Sequence, residues 1–308
     1  MKFTIHQSSR QGPRPYNQDR LAYSYSKDAL MMVVADGMGG HRNGEIAAQL
    51  AVKTLAVAFE KMAQPALLDP ARFLAEHTRQ VHAAINNYAE AHDWLDSPRT
   101  TIVAAIIQDN KLYSAHAGDS RLYHFSQGQL VYCSEDHSLV QMLYRKGLLQ
   151  KRHMATHPER HKIYSCLGGD VPPQIDLGQP RELLEGDALL LCTDGLWTLV
   201  RDDEIGITLH ASPINQALPE LLDLAESRAD KHDDNMSAIA LHWGERLDDL
   251  LTISTLPMPL GATTTIISPI SQLGQQNGGG GNTAPDLTDD EIERAIADIQ
   301  AALRKTRR

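Results

Sequence analysis

At 308 residues, with 29 Lys and Arg against 39 Asp and Glu for a formal charge of -10, the chain is long enough to bury a sizeable core without staples. The acidic balance excludes a general binder of nucleic acid or of anionic membrane, whose affinity would come from basic surface. Three cysteines, Cys133, Cys166 and Cys192, with no C-x-x-C spacing suggest neither a disulfide framework nor a cysteine zinc site, and fit a reducing cytoplasm.

In chain order, the opening residues lack the apolar core of a signal peptide and lead into a β-rich run, "KFTIHQ". No apolar run approaches the roughly 20 residues of a membrane span. After "ALMMVVAD" come two helical segments, Glu45 to Met62 and Pro70 to Ala91, the second with Asp69 as N-cap and Pro70 at the first helical position. "TTIVAAII", "KLYSAHA", "RLYHFS" and "QLVYC" follow as short strands with turn chemistry at Asp109-Asn110 and Gln127-Gly128. "DALLLCTD" precedes a second helical pair, about Asp202 to His210 and Pro213 to Ala229, and "MSAIALHW" closes the series. Hairpin-linked strands interrupted by helix pairs predict an α+β fold with antiparallel sheets rather than a doubly wound parallel one.

This domain is expected to span residues 1–245. Residues 246–287 are rich in Gly, Pro, Thr, Ser and Gln without a sustained period and read as a flexible linker. Residues 288–308 read as an amphipathic helix, with Thr288 and Glu291 as a capping box and Ile292, Ile296, Ile299 and Leu303 on one stripe. That helix either docks on its own domain or binds a partner. Deleting residues 246–308 is expected to leave turnover of a small substrate intact. Thr263, Thr264 and Thr265 are linker positions open to phosphorylation, or simply polar.

Four segments end an apolar run or turn in Asp beside Gly, Ser or Asn: Asp36-Gly37, Gly118-Asp119-Ser120, Asp194-Gly195 and Asp233-Asp234-Asn235. Asp19 lies in "RPYNQDR" near the start. One such site is ordinary turn chemistry. Several that converge would repel one another and be costly to desolvate unless a cation lay between them. Oxygen-only ligation suits Mg²⁺ or Mn²⁺ rather than zinc.

"RPYNQD", "VVADGMGGHRNGE", Thr100-Thr101, "SAHAGDSRLY", "DHS", "THPERHKIYSCLG", "LLLCTDGLW" and "DDNMS" together resemble, in order, the motif series of the metal-dependent protein phosphatases, the type 2C serine/threonine family in its compact bacterial form. The resemblance covers roughly residues 1–243. It implies an αββα sandwich, two antiparallel sheets flanked by helix pairs, with a two-metal centre at one edge. By the family pattern Asp36 bridges two Mn²⁺ or Mg²⁺ ions, the Gly37 carbonyl binds the second, and Asp194 and Asp234 complete the first. Asp119 matches the acid that helps hold a third, weaker ion, and Asp19 supports the second metal indirectly. Arg14 takes the place of the arginine that clamps the substrate phosphate. The implied reaction is hydrolysis of phosphoserine and phosphothreonine in proteins by a hydroxide bridging the metals, attacking phosphorus in line. The implied partners are phosphorylated proteins and an opposing bacterial Ser/Thr kinase.

The chain departs from the family pattern at three places. Gln18 stands where many members carry a glutamate ligand, and Met38 where eukaryotic members carry a histidine proposed as general acid, leaving His41 as a candidate by proximity. Arg99 stands before Thr100-Thr101 where glycine is usual.

Rival enzymes fail on spacing. A GDS-type esterase with Ser120 as nucleophile needs Asp three residues before a histidine, and no histidine here has one. Cysteine-dependent phosphatases need Arg six positions after the cysteine, where this chain has Leu139, Pro172 and Thr198. His153, His157 and His161 would make a zinc face on a helix, but Pro158 interrupts it. They lie instead in a basic segment with Arg145, Lys146, Lys151, Arg152, Arg160 and Lys162, expected to rim the site and guide phosphorylated substrates. The non-enzymatic alternative is a pseudophosphatase acting as a phosphoprotein-binding or scaffold module.

Overall fold

The computed structural model describes residues 1–38, 43–245 and 252–267. The chain opens with β1 (Lys2–Arg10), β2 (Asp19–Tyr25) and β3 (Ala29–Asp36), then α1 (Gly44–Met62) and α2 (Pro70–Ala91). Four strands follow, β4 (Ile102–Gln108), β5 (Lys111–Ala117), β6 (Arg121–Ser126) and β7 (Gln129–Cys133). Next come α3 (Leu139–Arg145), a 3₁₀ turn at Lys151–His153, and the short strands β8 (Asp176–Leu177) and β9 (Arg181–Glu182). The last elements are β10 (Ala188–Cys192), α4 (Asp194–Trp197), α5 (Asp202–Ala211), α6 (Ile214–Arg228), β11 (Met236–Trp243), β12 (Ile253–Ser254) and β13 (Thr264–Ile267).

Two antiparallel sheets result. One has the order β12-β1-β11-β10-β6-β7 and the other β13-β2-β3-β4-β5-β8, with β9 also on β5. Alternation along each strand explains the layering. On β3, Leu30, Met32 and Val34 join Leu189, Leu191, Ile239 and Leu241 between the sheets. Met31, Val33 and Ala35 of the same strand face the other way, against Leu50, Leu55 and Phe59 of α1 and Phe73 and Val81 of α2. Across the sandwich, Leu190, Ala238 and Ala240 pack on Ile205 and Leu209 of α5 and Leu218, Leu221 and Leu222 of α6. The architecture is the expected αββα sandwich. Strands buried on both faces are why these segments read as unbroken apolar runs.

Local signals hold where they were strongest. Asp69 accepts the Arg72 N–H at 2.9 Å and Pro70 opens α2. Asp109 and Asn110 both have positive φ, 53° and 55°, as do Gln127 and Gly128 at 50° and 74°, the requirement of the type I′ hairpin.

The linker expectation needs correcting. Residues 252–267 are not a free tether: β12 pairs with β1, and β13 pairs with Ala22 to Tyr25 of β2. β1 and β2 would otherwise present open edges, and the β-branched "TTII" supplies a partner for one of them. Gly and Pro in this region mark only its connectors. Thr264 and Thr265 are therefore strand residues, the Thr265 hydroxyl meeting Ser24 and Glu60. Gly39, Gly40, His41, residues 268–287 and the expected helix at 288–308 lie outside the described residues.

Candidate active site

The aspartates singled out above stand on different elements that end at one side of the sandwich. β2 begins at Asp19 and β3 ends at Asp36, and the two are cross-strand partners. Asp119 lies in the turn from β5 to β6, Asp194 opens α4 directly after β10, and Asp234 precedes β11. Their mutual electrostatics show convergence. Burial pushes the Asp36 carboxyl well above the usual range, and Asp19, Asp194, Asp119 and Asp234 push it further. Burial also raises Asp119, with Asp194 and Asp136 adding to it. Asp19 and Asp194 are each raised to about 7, burial again leading, with Asp234 acting on both.

The backbone around Asp36 is rigidly held. Its N–H donates to Thr101 Oγ1 at 3.1 Å, and its carbonyl accepts from Thr100 Oγ1 at 2.8 Å and from the Thr101 N–H at 2.9 Å. Gly37 donates its N–H to the Gln18 carbonyl at 3.3 Å and packs so closely on α1 that a Cβ would lie 2.4 Å from the Gly44 carbonyl. Glycine is the residue that fits there. The Met38 N–H donates to the Arg99 carbonyl at 3.0 Å, so Arg99 serves this turn through its backbone. Gln18 Nε2 donates to Glu45 Oε2 at 3.0 Å, so its amide is tied to α1.

Arg14 reaches the same place from the β1–β2 loop. Its Nη2 donates to Asp234 Oδ2 at 2.8 Å and its Nε to the Asp233 carbonyl at 3.0 Å. The loop is fastened by Asn235, which spacing alone did not mark as important. Asn235 Nδ2 donates to the carbonyls of Gln11 and Tyr16 at 2.7 and 3.0 Å, and its Oδ1 accepts the Gln18 N–H at 2.9 Å. Thr193 Oγ1 donates to Asp19 Oδ2 at 3.0 Å, holding that carboxylate behind Asp36. Arg121 was read only as part of a motif. It grips Asp136 through two bonds of 2.8 Å and lies 3.4 Å above the Trp197 ring, whose Nε1 donates to the Asp119 carbonyl at 2.9 Å. Its only sequence signal was its place in "GDSR".

The segment between β7 and β8 carries the basic residues, Arg145, Lys146, Lys151, Arg152, Arg160 and Lys162, all exposed. No continuous helix joins His153, His157 and His161, consistent with Pro158. His161 is near enough to Asp234, Asp233 and Arg14 to feel their charges, although burial chiefly lowers its pKa.

Divalent cations fit this donor set. Buried carboxylates that destabilise one another lose that penalty when positive charge enters. Asp194 Oδ1 is buried without a hydrogen-bond partner, an acceptor waiting for a ligand. Asp36, Asp194 and Asp234 offer carboxylate oxygens and Gly37 a backbone carbonyl on this side of the sandwich.

Comparison with known proteins agrees with this geometry. The family model described as Protein phosphatase 2C matches residues 8–230. The serine/threonine phosphatase stp of Listeria welshimeri is 33% identical over 233 residues, covering 73% of this chain and 90% of the relative. The crystal structure of the Mycobacterium tuberculosis serine/threonine phosphatase PstP/Ppp superposes with a TM-score of 0.70 at 30% identity, over 80% of this chain and 100% of that one. A structure of the PstP catalytic domain in complex with two manganese ions has a TM-score of 0.65 at 28% identity, over 78% of this chain and 98% of that one. With the match taking in strands of both sheets and every aspartate of the site except Asp234, which lies just beyond it, the chain belongs to the protein phosphatase 2C family.

Proposed function

We propose that this chain hydrolyses phosphoserine and phosphothreonine in proteins, using two Mn²⁺ or Mg²⁺ ions held by Asp36, the Gly37 carbonyl, Asp194 and Asp234, with Asp119 toward a third, weaker ion and Asp19 in support. The observation that carries this reading is the gathering of aspartates at strand ends, Asp19 paired with Asp36 and Asp194 Oδ1 buried without a partner, where burial and neighbouring acids push the carboxyls upward. The manganese in a related catalytic domain supports the choice of metal. When bound, such a pair supplies an acidified water as nucleophile and positive charge for the phosphoryl oxygens. Arg14 presents a planar fork of donors to those oxygens, exchanging its contact with Asp234 for the substrate. Asn235 and Thr193 keep Arg14 and Asp19 from drifting, so the site is preorganised. Met38 carries no transferable proton, so the leaving alkoxide takes its proton from water or another side chain.

The bacterial relatives support a bacterial setting and a Ser/Thr kinase as counterpart. The free cysteines support a cytoplasmic location, and among the described residues no helix is long and apolar enough to cross a membrane. A binding module without turnover is disfavoured by the full set of acids and Arg14.

The test is hydrolysis of p-nitrophenyl phosphate and of a phosphothreonine peptide with Mn²⁺. Wild type turns over both, and Asp36→Asn lowers kcat by on the order of 10²-fold or more. Equal rates for wild type and Asp36→Asn would refute the proposal.

A further inference from the structure

His137, between β7 and α3, is 1% exposed and lies outside the ring of aspartates. It takes both backbone groups of Gly118. The His137 N–H donates to the Gly118 carbonyl at 2.8 Å, and the Gly118 N–H points at His137 Nδ1 at 3.3 Å. Gly118 has no room to retreat: its φ is +115°, and a Cβ would lie 2.6 Å from the Thr101 side chain. Thr101 Oγ1 in turn meets Ser120 Oγ at 2.7 Å and takes the Asp36 N–H. The turn that carries Asp119 is thus clamped between Thr101 on one side and His137 on the other. The His137 carbonyl accepts the Tyr164 N–H at 2.8 Å, where the basic segment returns to the sandwich.

The far ring nitrogen, Nε2, lies 3.2 Å from Asp176 Oδ2 on β8. Asp176 is itself oriented by Gln174, whose Nε2 donates to Oδ1 at 3.0 Å. A neutral imidazole carries one proton. On Nδ1 it would oppose the Gly118 N–H, donor against donor; on Nε2 it faces a carboxylate and leaves the Nδ1 lone pair for Gly118. His116 stacks on His137 with centroids 4.7 Å apart, and its Nε2 lies 2.7 Å from the Glu135 carbonyl, which places its own proton there.

We propose that Asp176 fixes His137 in the Nε2–H tautomer, and that His137 thereby positions the Gly118-Asp119-Ser120 turn for phosphatase turnover. Both are positioning residues, and the proposal rests on the function given above. The donor atoms of His116, His137 and Asp176 also lie within 4.8 Å of one another, close enough for a metal. A metal on His137 Nε2, however, would drive the ring proton to Nδ1, against the Gly118 N–H. The tautomer reading sets each ring nitrogen against a group of opposite polarity: Nδ1 takes the Gly118 N–H, and Nε2, which makes no aligned hydrogen bond, keeps its 3.2 Å ion-pair contact with Asp176 Oδ2.

Ring ¹⁵N shifts of His137 in the full-length Mn²⁺-loaded protein report the tautomer directly, apart from activity. The wild-type spectrum should show an unprotonated Nδ1. Asp176→Asn should mix the tautomers and raise the Mn²⁺ concentration for half-maximal turnover by about 10- to 100-fold, the usual scale for orienting residues behind a metal site. Asp176→Glu should recover most of that loss. A wild-type His137 protonated on Nδ1 overturns the proposal, and this result stands even if Asp176→Asn does not fold. So does an Asp176→Asn protein with unchanged tautomer and Mn²⁺ dependence, or stoichiometric zinc in the wild type that Asp176→Asn loses. A wild type with the expected tautomer but no phosphatase activity would refute the function and leave the tautomer assignment intact.

Discussion

Asp19 and Asp194, each raised to about 7 chiefly by burial, make the metal-free site sensitive to pH in a direction that can be worked out. Unfolded aspartates titrate near ~3.9. The native state therefore binds these protons more tightly than the unfolded chain, and the penalty of ionising them grows as pH rises from about 4 to about 7. Without divalent metal, Tm should fall over that window. Mn²⁺ displaces the protons, so its stabilisation should be larger at about pH 7.5 than at about pH 5. Thermal melts with chelator and with Mn²⁺ at both pH values check this; an equal Mn²⁺ shift would mean that these acids do not hold the ion. Asp36, Asp119, Asp194 and Asp234 were legible because each ends an apolar run or turn beside Gly, Ser or Asn, whereas Asp19, between Gln18 and Arg20, was legible only within "RPYNQD". Asn235, Thr193 and His137 were not legible as supports, because their roles are hydrogen bonds to backbone groups far away in sequence, and no local spacing records such partners.

Among the elements, the long helices were readable to within a residue or so because capping and composition acted together, Asp69 and Pro70 opening α2 as their chemistry requires. β12 and β13 were missed because two and four residues are too short to show a period, and their pairing depends on the open edges of distant strands. Their presence alters what truncation should do. A chain ended after Ile267 keeps both strands and serves as the reference. Ending it after Glu245 removes both edge strands and should lower Tm by several degrees, at about 2 to 4 °C per kcal/mol lost in larger domains. β13 pairs with Ala22 to Tyr25, the end of β2 away from Asp19, so turnover of p-nitrophenyl phosphate at 20 °C should survive. Lost turnover in a folded protein of that length would show that the edge strands support the site directly.

At the scale of the molecule, a chain of formal charge -10 must receive substrates that are themselves anionic. Long-range repulsion slows such encounters unless a local patch reverses the field. The segment bearing Arg145, Lys146, Lys151, Arg152, Arg160 and Lys162 is such a patch, and His161 within it feels the charges of Arg14 and Asp234. Neutralising these residues should lower kcat/KM for phosphopeptides by about 10-fold or more at low salt, and the gap should close as ionic strength rises. Equal kcat/KM at low salt would rule out steering by this segment.

The pairing of Asp19 with Asp36 across β2 and β3 has a price in folding. Slipping β2 by one residue would set Arg20 opposite Asp36, trading a repulsive pair for an attractive one. The same slip would turn Leu21 out of the layer between the sheets, and that apolar penalty holds the register in place. Charge and packing thus vote differently on the alignment of two neighbouring strands. Positive charge held at Asp36 would ease that repulsion and side with packing, so the ions proposed for turnover would also act as a selector for the correct hairpin alignment during folding.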